Sequence, residues 1–307
     1  MAIVAIPRSD ATRGMAGAGF AVLCFSVGPL LVKAGHLPGL TLAFYRLWVG
    51  FVFMALVQLL LRGALTWRAI KASALGGLLF GVNVSFFFSA VRATTVADAS
   101  LITAIQPALL LLVAGPLFGE RVTVRTVLLT ALAIGGVALV VVGSSGTPEW
   151  SLRGDLLAVG ALVTWAGYFV ASKRARDQLD ALEYMASVMG IAAVVLTPVA
   201  LLSGQHLGGL MARDWLYLLG FVLVPGAGGH LMLSWSHRYV DVSVSSIIVV
   251  AAPVLSSLAA VFVVDEPLGA VQLLGGLVVL VAIAAVVRSA GSALAEHAEA
   301  TVETGAP

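Results

Sequence analysis

Few side chains in this sequence can do chemistry, and most of them stand in apolar surroundings. Arg46 interrupts the run LTLAFYRLWVGFVFMALVQLLL over 40–61. A cation inside an apolar run of that length costs roughly 2.5–3.5 kcal/mol on insertion scales, so it faces a partner, a cavity or the interface. Two uses fit: its fork of donors can hold backbone carbonyls of a neighbouring helix or snorkel outward, or it can hold a carboxylate ligand. His230 follows VPGAGG, in which Pro225, Gly226, Gly228 and Gly229 weaken any helix just before it. There a histidine either bridges helices or lines a cavity and exchanges a proton. Gln106 precedes Pro107, with Thr103 one turn earlier, and Ser256 and Ser257 follow Pro253. Each proline removes a backbone donor and opens carbonyls in mid-run, bending a helix around a cavity or merely kinking it. Phe25, Trp165 and Tyr168 add aromatic faces able to flank a flat or cationic molecule, though aromatic rings in apolar helices mostly pack. No cofactor and no metal is expected.

The elements that position these groups follow from composition. The chain of 307 residues is 60% hydrophobic and only 10% charged, with a mean hydropathy of +1.06. Those values exclude a soluble domain. A span needs about 20 apolar residues, and ten segments qualify: 14–33, 39–61, 70–91, 96–118, 123–143, 154–172, 182–202, 214–236, 242–264 and 268–287. The expected fold is an all-α integral membrane protein whose first span is retained rather than cleaved as a signal. Counting from a cytoplasmic N-terminus, Arg8, Arg13, Arg62, Arg68, Lys71, Arg121, Arg125, Lys173, Arg174, Arg176, Arg238 and Arg288 fall inside, against Lys33, Arg92, Arg153 and Arg213 outside. The basic excess inside predicts that both termini are cytoplasmic. Net charge is only +2 and the basic residues are scattered, which offers nucleic acid no binding surface. Cys24 is the only cysteine, so no intrachain disulfide forms.

Internal repetition organises the ten segments. Arg92, Pro107 and Glu120 recur as Arg238, Pro253 and Glu266, each displaced by 146 positions, and Gly14, Phe25 and Lys33 recur as Gly154, Trp165 and Lys173, displaced by 140. The sequence thus divides into a short arm (1–13), a first five-span repeat (14–143), a linker on the outer side (144–153), a second five-span repeat (154–288) and a small, polar, acidic cytoplasmic tail (289–307) expected to be disordered. Because five is odd, the second repeat enters from the opposite side. Inverted repeats that meet at a midplane are how secondary transporters are built. In the repeat register Asn83 and Val84 correspond to Gly229 and His230, so Asn83 and His230 are expected to face one another across a pocket. Glu120 and Glu266, each beginning a helix after a tight turn, are expected to cap it.

RATTVADASLITAIQPALLLLVAGPLFGER and its echo RYVDVSVSSIIVVAAPVLSSLAAVFVVDEP resemble the EamA family of the drug/metabolite transporter superfamily, in which a proline-centred helix ends in a Gly-Glu turn. LTLAFYRLW is similar to the family's second span with its arginine. The resemblance covers both halves and implies an exporter of small organic metabolites: amino acids, related compounds or lipophilic cations. It also favours the carbonyl-binding use of Arg46, because the family carries an arginine there across unlike substrates. Asp265-Glu266 in place of Gly119-Glu120, and Ala186 near the place an arginine would take, imply that the halves are not equivalent.

Two other classes compete. GSSG at 143–146 and GAGGH at 226–230 look like the nucleophile and histidine segments of rhomboid-type intramembrane serine proteases. Ser145, however, belongs to the outer linker and His230 to the cytoplasmic half of span eight, whereas a base must lie within about 3.2 Å of its nucleophile. A receptor or scaffold would not require inverted halves with kinked helices. No Gly-x-x-x-x-Gly-Lys-Ser/Thr loop occurs, which leaves a gradient as the energy source. The expected protein is therefore no enzyme but a multi-pass exporter of a prokaryotic inner membrane, working by alternating access, with the lipid bilayer and a small molecule as partners. Phe25, Arg46, Asn83, Gln106, Trp165, Tyr168, His230 and Ser257 are the candidate binding residues, with Pro107 and Pro253 as helix kinks.

Overall fold

The computed structural model describes residues 8–304 apart from 36, 95, 121, 146–150, 205–206 and 264–267. Regular structure among them is helical: α1 (Arg8–Ala34), α2 (Gly39–Arg62), α3 (Trp67–Ala93), α4 (Val96–Thr103), α5 (Gln106–Phe118), α6 (Val124–Ser145), α7 (Leu152–Arg176), α8 (Ala181–Leu202), α9 (Ala212–Phe221), a π-helical segment (Val222–Gly229), α10 (His230–Ser236), α11 (Val242–Val249), α12 (Ala252–Val263) and α13 (Ala270–Thr304). They form ten spans, the first Asp10–Val32 and the last Ala270–Ser289. The all-helical, ten-span architecture read from the sequence is present. One difference concerns the tail: α13 continues to Thr304, where a disordered segment was expected from 289. Alanine and glutamate, both strong helix formers, dominate SALAEHAEATVET and carry the helix onward.

Spans four and nine are each made of two helices. The breaks fall at Ala104–Ile105 and Val250–Ala251, with Pro107 and Pro253 in the first turn of the helix that follows. Proline is tolerated in a first turn, where its missing N–H would find no intrahelical partner, but it disfavours helix in the residue before it. The same physics therefore breaks both halves at equivalent depth.

Packing follows the repeat. α3 lies against α7 in the first half's register, and the π segment with α10 lies against α1 in the second's. α2 pairs with α8, and α6 with α13, across the axis relating the halves. Small residues bring backbones together, as is general where no hydrophobic effect drives helix pairing. On α3 a Cβ at Gly77 would stand 2.6 Å from Ile191, and one at Gly81 would stand 2.8 Å from Val195, both on α8. The main core gathers Leu47, Phe80, Leu110, Tyr168, Phe169, Tyr184, Leu196 and Leu233. Alternation of the spans places Arg62, Arg68, Lys71, Arg125, Lys173, Arg174, Arg176 and Arg238 at one end, hereafter the basic end.

Candidate functional site

The π-helical segment is the local event that builds the centre of the molecule. Pro225 has no N–H to give, and three glycines follow within four residues, so the α-ladder relaxes to wider turns. Such π segments recur at functional sites. Immediately after it, His230 enters a box of rings. Its imidazole lies 4.9 Å from the Phe25 ring and 4.8 Å from that of Phe80, both edge-on, and 6.0 Å from Trp165. Trp165 stacks on Tyr168 at 5.2 Å, and Phe80 leans on Tyr168 at 5.1 Å. Glycine is required at 229, where a Cβ would stand 2.6 Å from the Phe25 ring. The repeat-related Phe25 and Trp165 thus converge on one histidine. His230 is buried, and its Nδ1 makes no hydrogen bond among the described residues.

Arg46, seven residues into α2, is about 10 Å from the end opposite the basic one. Its guanidinium lies over the Phe221 ring at 5.2 Å. Among the described residues it makes no hydrogen bond and no ion pair, so the expected grip on neighbouring carbonyls is not what holds it. A different arginine does that work. Arg176, ending α7 and buried, donates from Nε to the Ser234 carbonyl at 3.1 Å and from Nη1 to the Leu179 carbonyl. Asp214, two turns before Phe221, accepts the backbone N–H of Met211 at 2.9 Å instead of pairing with Arg46.

The remaining candidates are dispersed. Asn83 has a partner of its own: its Nδ2 donates to the Ala161 carbonyl at 2.8 Å and staples α3 to α7. Gln106 is buried at the break of span four, with Nε2 unpartnered. Ser257 lies elsewhere, with Gln272 in an apolar groove of about 190 Å³ between α6, α12 and α13, beside leucines that face outward. Phe80, Phe221 and Arg176 were missed. Phe80 had a signal, since it lies three residues, one helical turn, before Asn83; the other two become meaningful only in three dimensions.

At the basic end Glu120 caps a helix, but not the one expected. Gly119 takes φ +70, the left-handed conformation that ends α5 and turns the next side chain across the interface. Glu120 accepts the backbone N–H of Val242 at 2.7 Å, that of Ser243 at 3.2 Å and the Ser243 hydroxyl at 2.6 Å. It therefore caps α11 of the other half rather than its own successor α6. Lys173 stands 3.9 Å from it and donates to the Val240 carbonyl at 2.8 Å. Beside this tie His237 is fully buried, with Nδ1 2.8 Å from the Ser172 hydroxyl. Burial first, then Lys173 and Arg176, push its pKa down to about 3. Glu266 and the side chains of Lys33 and Ser145 lie outside the described residues.

The EamA-like transporter family model matches residues 12–142 and 152–288, both halves in turn. The chain belongs to the EamA-like transporter family. It is similar to an uncharacterized transporter of Archaeoglobus fulgidus, 28% identical over 243 residues that make up 78% of this chain and 84% of the relative. A solved crystal structure superposes with a TM-score of 0.75 over 92% of this chain and 98% of the other, at 21% identity, a likeness of fold alone. This EamA-like protein is thus a multi-pass membrane transporter, and its ring box and Arg46 are read as parts of one.

Proposed function

We propose that this EamA-like transporter exports small organic metabolites bearing a carboxylate, amino acids with apolar side chains or related compounds. It works by alternating access in a prokaryotic inner membrane with its basic end and both termini cytoplasmic. The observation that carries the reading is Arg46, a guanidinium among the spans over Phe221 with no hydrogen bond or ion pair among the described residues. A carboxylate would supply the missing bidentate partner. The rings around His230 would take the apolar remainder of the molecule, and Gln106 Nε2 and His230 Nδ1 stand as unspent polar groups. A lipophilic cation suits the rings but would meet an uncompensated positive charge at Arg46. Orientation rests on the gathering of basic residues at one end.

The test is counterflow into proteoliposomes, using labelled L-leucine, L-phenylalanine and tetraphenylphosphonium, with wild type, Arg46→Gln and Arg46→Lys. Wild type is expected to exchange an amino acid, and Arg46→Gln to lose that exchange at unchanged melting temperature. Exchange of tetraphenylphosphonium alone, faster in Arg46→Gln, would overturn the reading. So would an unstable Arg46→Gln whose surviving fraction keeps its apparent amino-acid affinity.

A further inference from the structure

Seven buried side-chain atoms among the described residues make no hydrogen bond: Gln58 Oε1, Ser73 Oγ, Gln106 Nε2, Tyr184 Oη, His230 Nδ1, Ser234 Oγ and His237 Nε2. Buried polar atoms are almost always paired, and each exception calls for an explanation. Their placement supplies one. Gln106 and His230 belong to the middle of the molecule, and the other five all lie toward the basic end: Gln58 near the end of α2, Ser73 in the second turn of α3, Tyr184 in the first turn of α8, Ser234 near the end of α10 and His237 just beyond it. No atom of this kind occurs toward the opposite end among the described residues.

Four of the five are drawn together at that end. His230, Ser234 and His237 are spaced four and three residues apart, which puts them on one face of a helix. That face runs about 10 Å, from the ring box to the basic end. Opposite it, His237 Nδ1 meets Ser172 of α7, and the Ser172 hydroxyl faces Tyr184 of α8 without completing a hydrogen bond to it. The Tyr184 hydroxyl lies against Gly76, where a Cβ would collide with it, and Ser73 is one turn away along the same helix. A polar seam therefore descends between α3, α7, α8 and α10 from the candidate site to one surface only. Ser73, Ser234 and His237 have no exposed surface, so the seam is shut.

We propose that this seam is the closed access path from the basic end to the ring box, and that its unpaired atoms are groups which water and the polar parts of the substrate solvate when the path opens. Leaving such an atom unpaired costs free energy in the shut state, and a path that must be wet in another state explains why apolar residues do not replace it. The inference rests on the alternating-access reading above. It adds Ser73, Tyr184, Ser234 and His237 as lining and makes the basic end the side from which substrate is taken up.

The test uses cysteine accessibility in the full chain, which needs no knowledge of the substrate. Cys24 is first replaced by alanine. Ser73→Cys and Ser234→Cys are then made singly, each nearly isosteric, with Ala282→Cys as a control. Ala282 is equally buried but packs in the separate cluster between α6 and α13. Inverted membrane vesicles, which expose the cytoplasmic face, and right-side-out vesicles are treated with a charged methanethiosulfonate. Both seam cysteines are expected to react at least about ten times faster than Ala282→Cys in inverted vesicles, and slowly in right-side-out ones. Rates equal to that of Ala282→Cys, or faster labelling from the outer face, would overturn the proposal. If the seam cysteines label as expected while counterflow shows no exchange, the path stands and the substrate reading fails.

Discussion

Replacing Glu120 by alanine removes the most connected side chain at the seam between the halves. The carboxylate is 4% exposed and accepts three hydrogen bonds from the start of α11. Capping residues are worth about 0.5–2 kcal/mol, and a hydrogen bond to a charged group about 1.5–3 kcal/mol net of its exchange with water, contributions that do not add for bonds sharing one acceptor. Lys173 keeps the Val240 carbonyl and a 3.8 Å approach to Asp241, so the cation is not left wholly unpaired, and the full 3–5 kcal/mol for breaking a buried ion pair does not apply. A loss of about 3 kcal/mol follows. Ser243→Ala deletes only the hydroxyl bond and should cost about 1 kcal/mol. Because that hydroxyl's partner is Glu120 itself, the double variant should cost little more than Glu120→Ala, with a coupling of about 0.5–1 kcal/mol. Heating the purified protein in detergent and following the surviving monodisperse fraction reads this directly, as a fall of several degrees for Glu120→Ala. An unchanged midpoint would refute the tie, and so would strict additivity of the two substitutions.

Three further outcomes can be checked with the same preparations. Gly229→Ala should lower the midpoint and disturb the ring box, since the new methyl meets the Phe25 ring at 2.6 Å and Cys24 Cβ at 3.3 Å; a midpoint within a degree of wild type would show that the helices give way freely. His237 titrates below its ordinary range, so the folded protein binds fewer protons than the unfolded chain between pH 6.5 and about 3. Its stabilising contribution is therefore present above pH 6.5 and is lost as the pH falls, by about 2 kcal/mol at pH 5; melting curves of wild type should decline more steeply on acidification than those of His237→Gln, and parallel curves would contradict the assignment. Arg62→Ala breaks a 3.3 Å pair with Asp180 whose side chains are 61% and 36% exposed, so the midpoint should stay within the range of about 0–1 kcal/mol typical of surface pairs. A larger fall would mean that Arg62 does more than its geometry implies.

The architecture was legible because it rests on one-dimensional signals. Runs of about 20 apolar residues give spans in any arrangement, and the 146-residue displacement of Pro107 and Pro253 marks breaks that proline imposes locally. The site was legible only where identity and locality coincide. Glycines 226, 228 and 229 announce a weakened helix before His230, and Phe25 and Trp165 are related by the repeat. What the sequence could not convey is which orphan finds which partner. An arginine among apolar residues reads the same whether it grips carbonyls, as Arg176 does, or lies over a ring, as Arg46 does. Glu120 follows a turn and so seemed to serve the helix after it, yet the left-handed Gly119 aims it at α11, 122 residues onward. Asn83 is polar at the right depth, but its amide was already engaged by a neighbouring carbonyl.

The π-helical segment of span eight also sets a mechanical property. Its wider turns hold more residues than an α-helix of equal length would, so returning it to α geometry means passing a residue along the ladder toward one end. Each residue passed toward α10 turns that helix by about 100° and advances it about 1.5 Å. Such a slip would swing His230 out from between Phe25 and Phe80 and carry Ser234 and His237 around with it, while α9, upstream of the segment, stayed where it was. The π segment of span eight is therefore the place where a change in backbone hydrogen bonding, rather than a tilt of the whole helix, would alter what His230 faces.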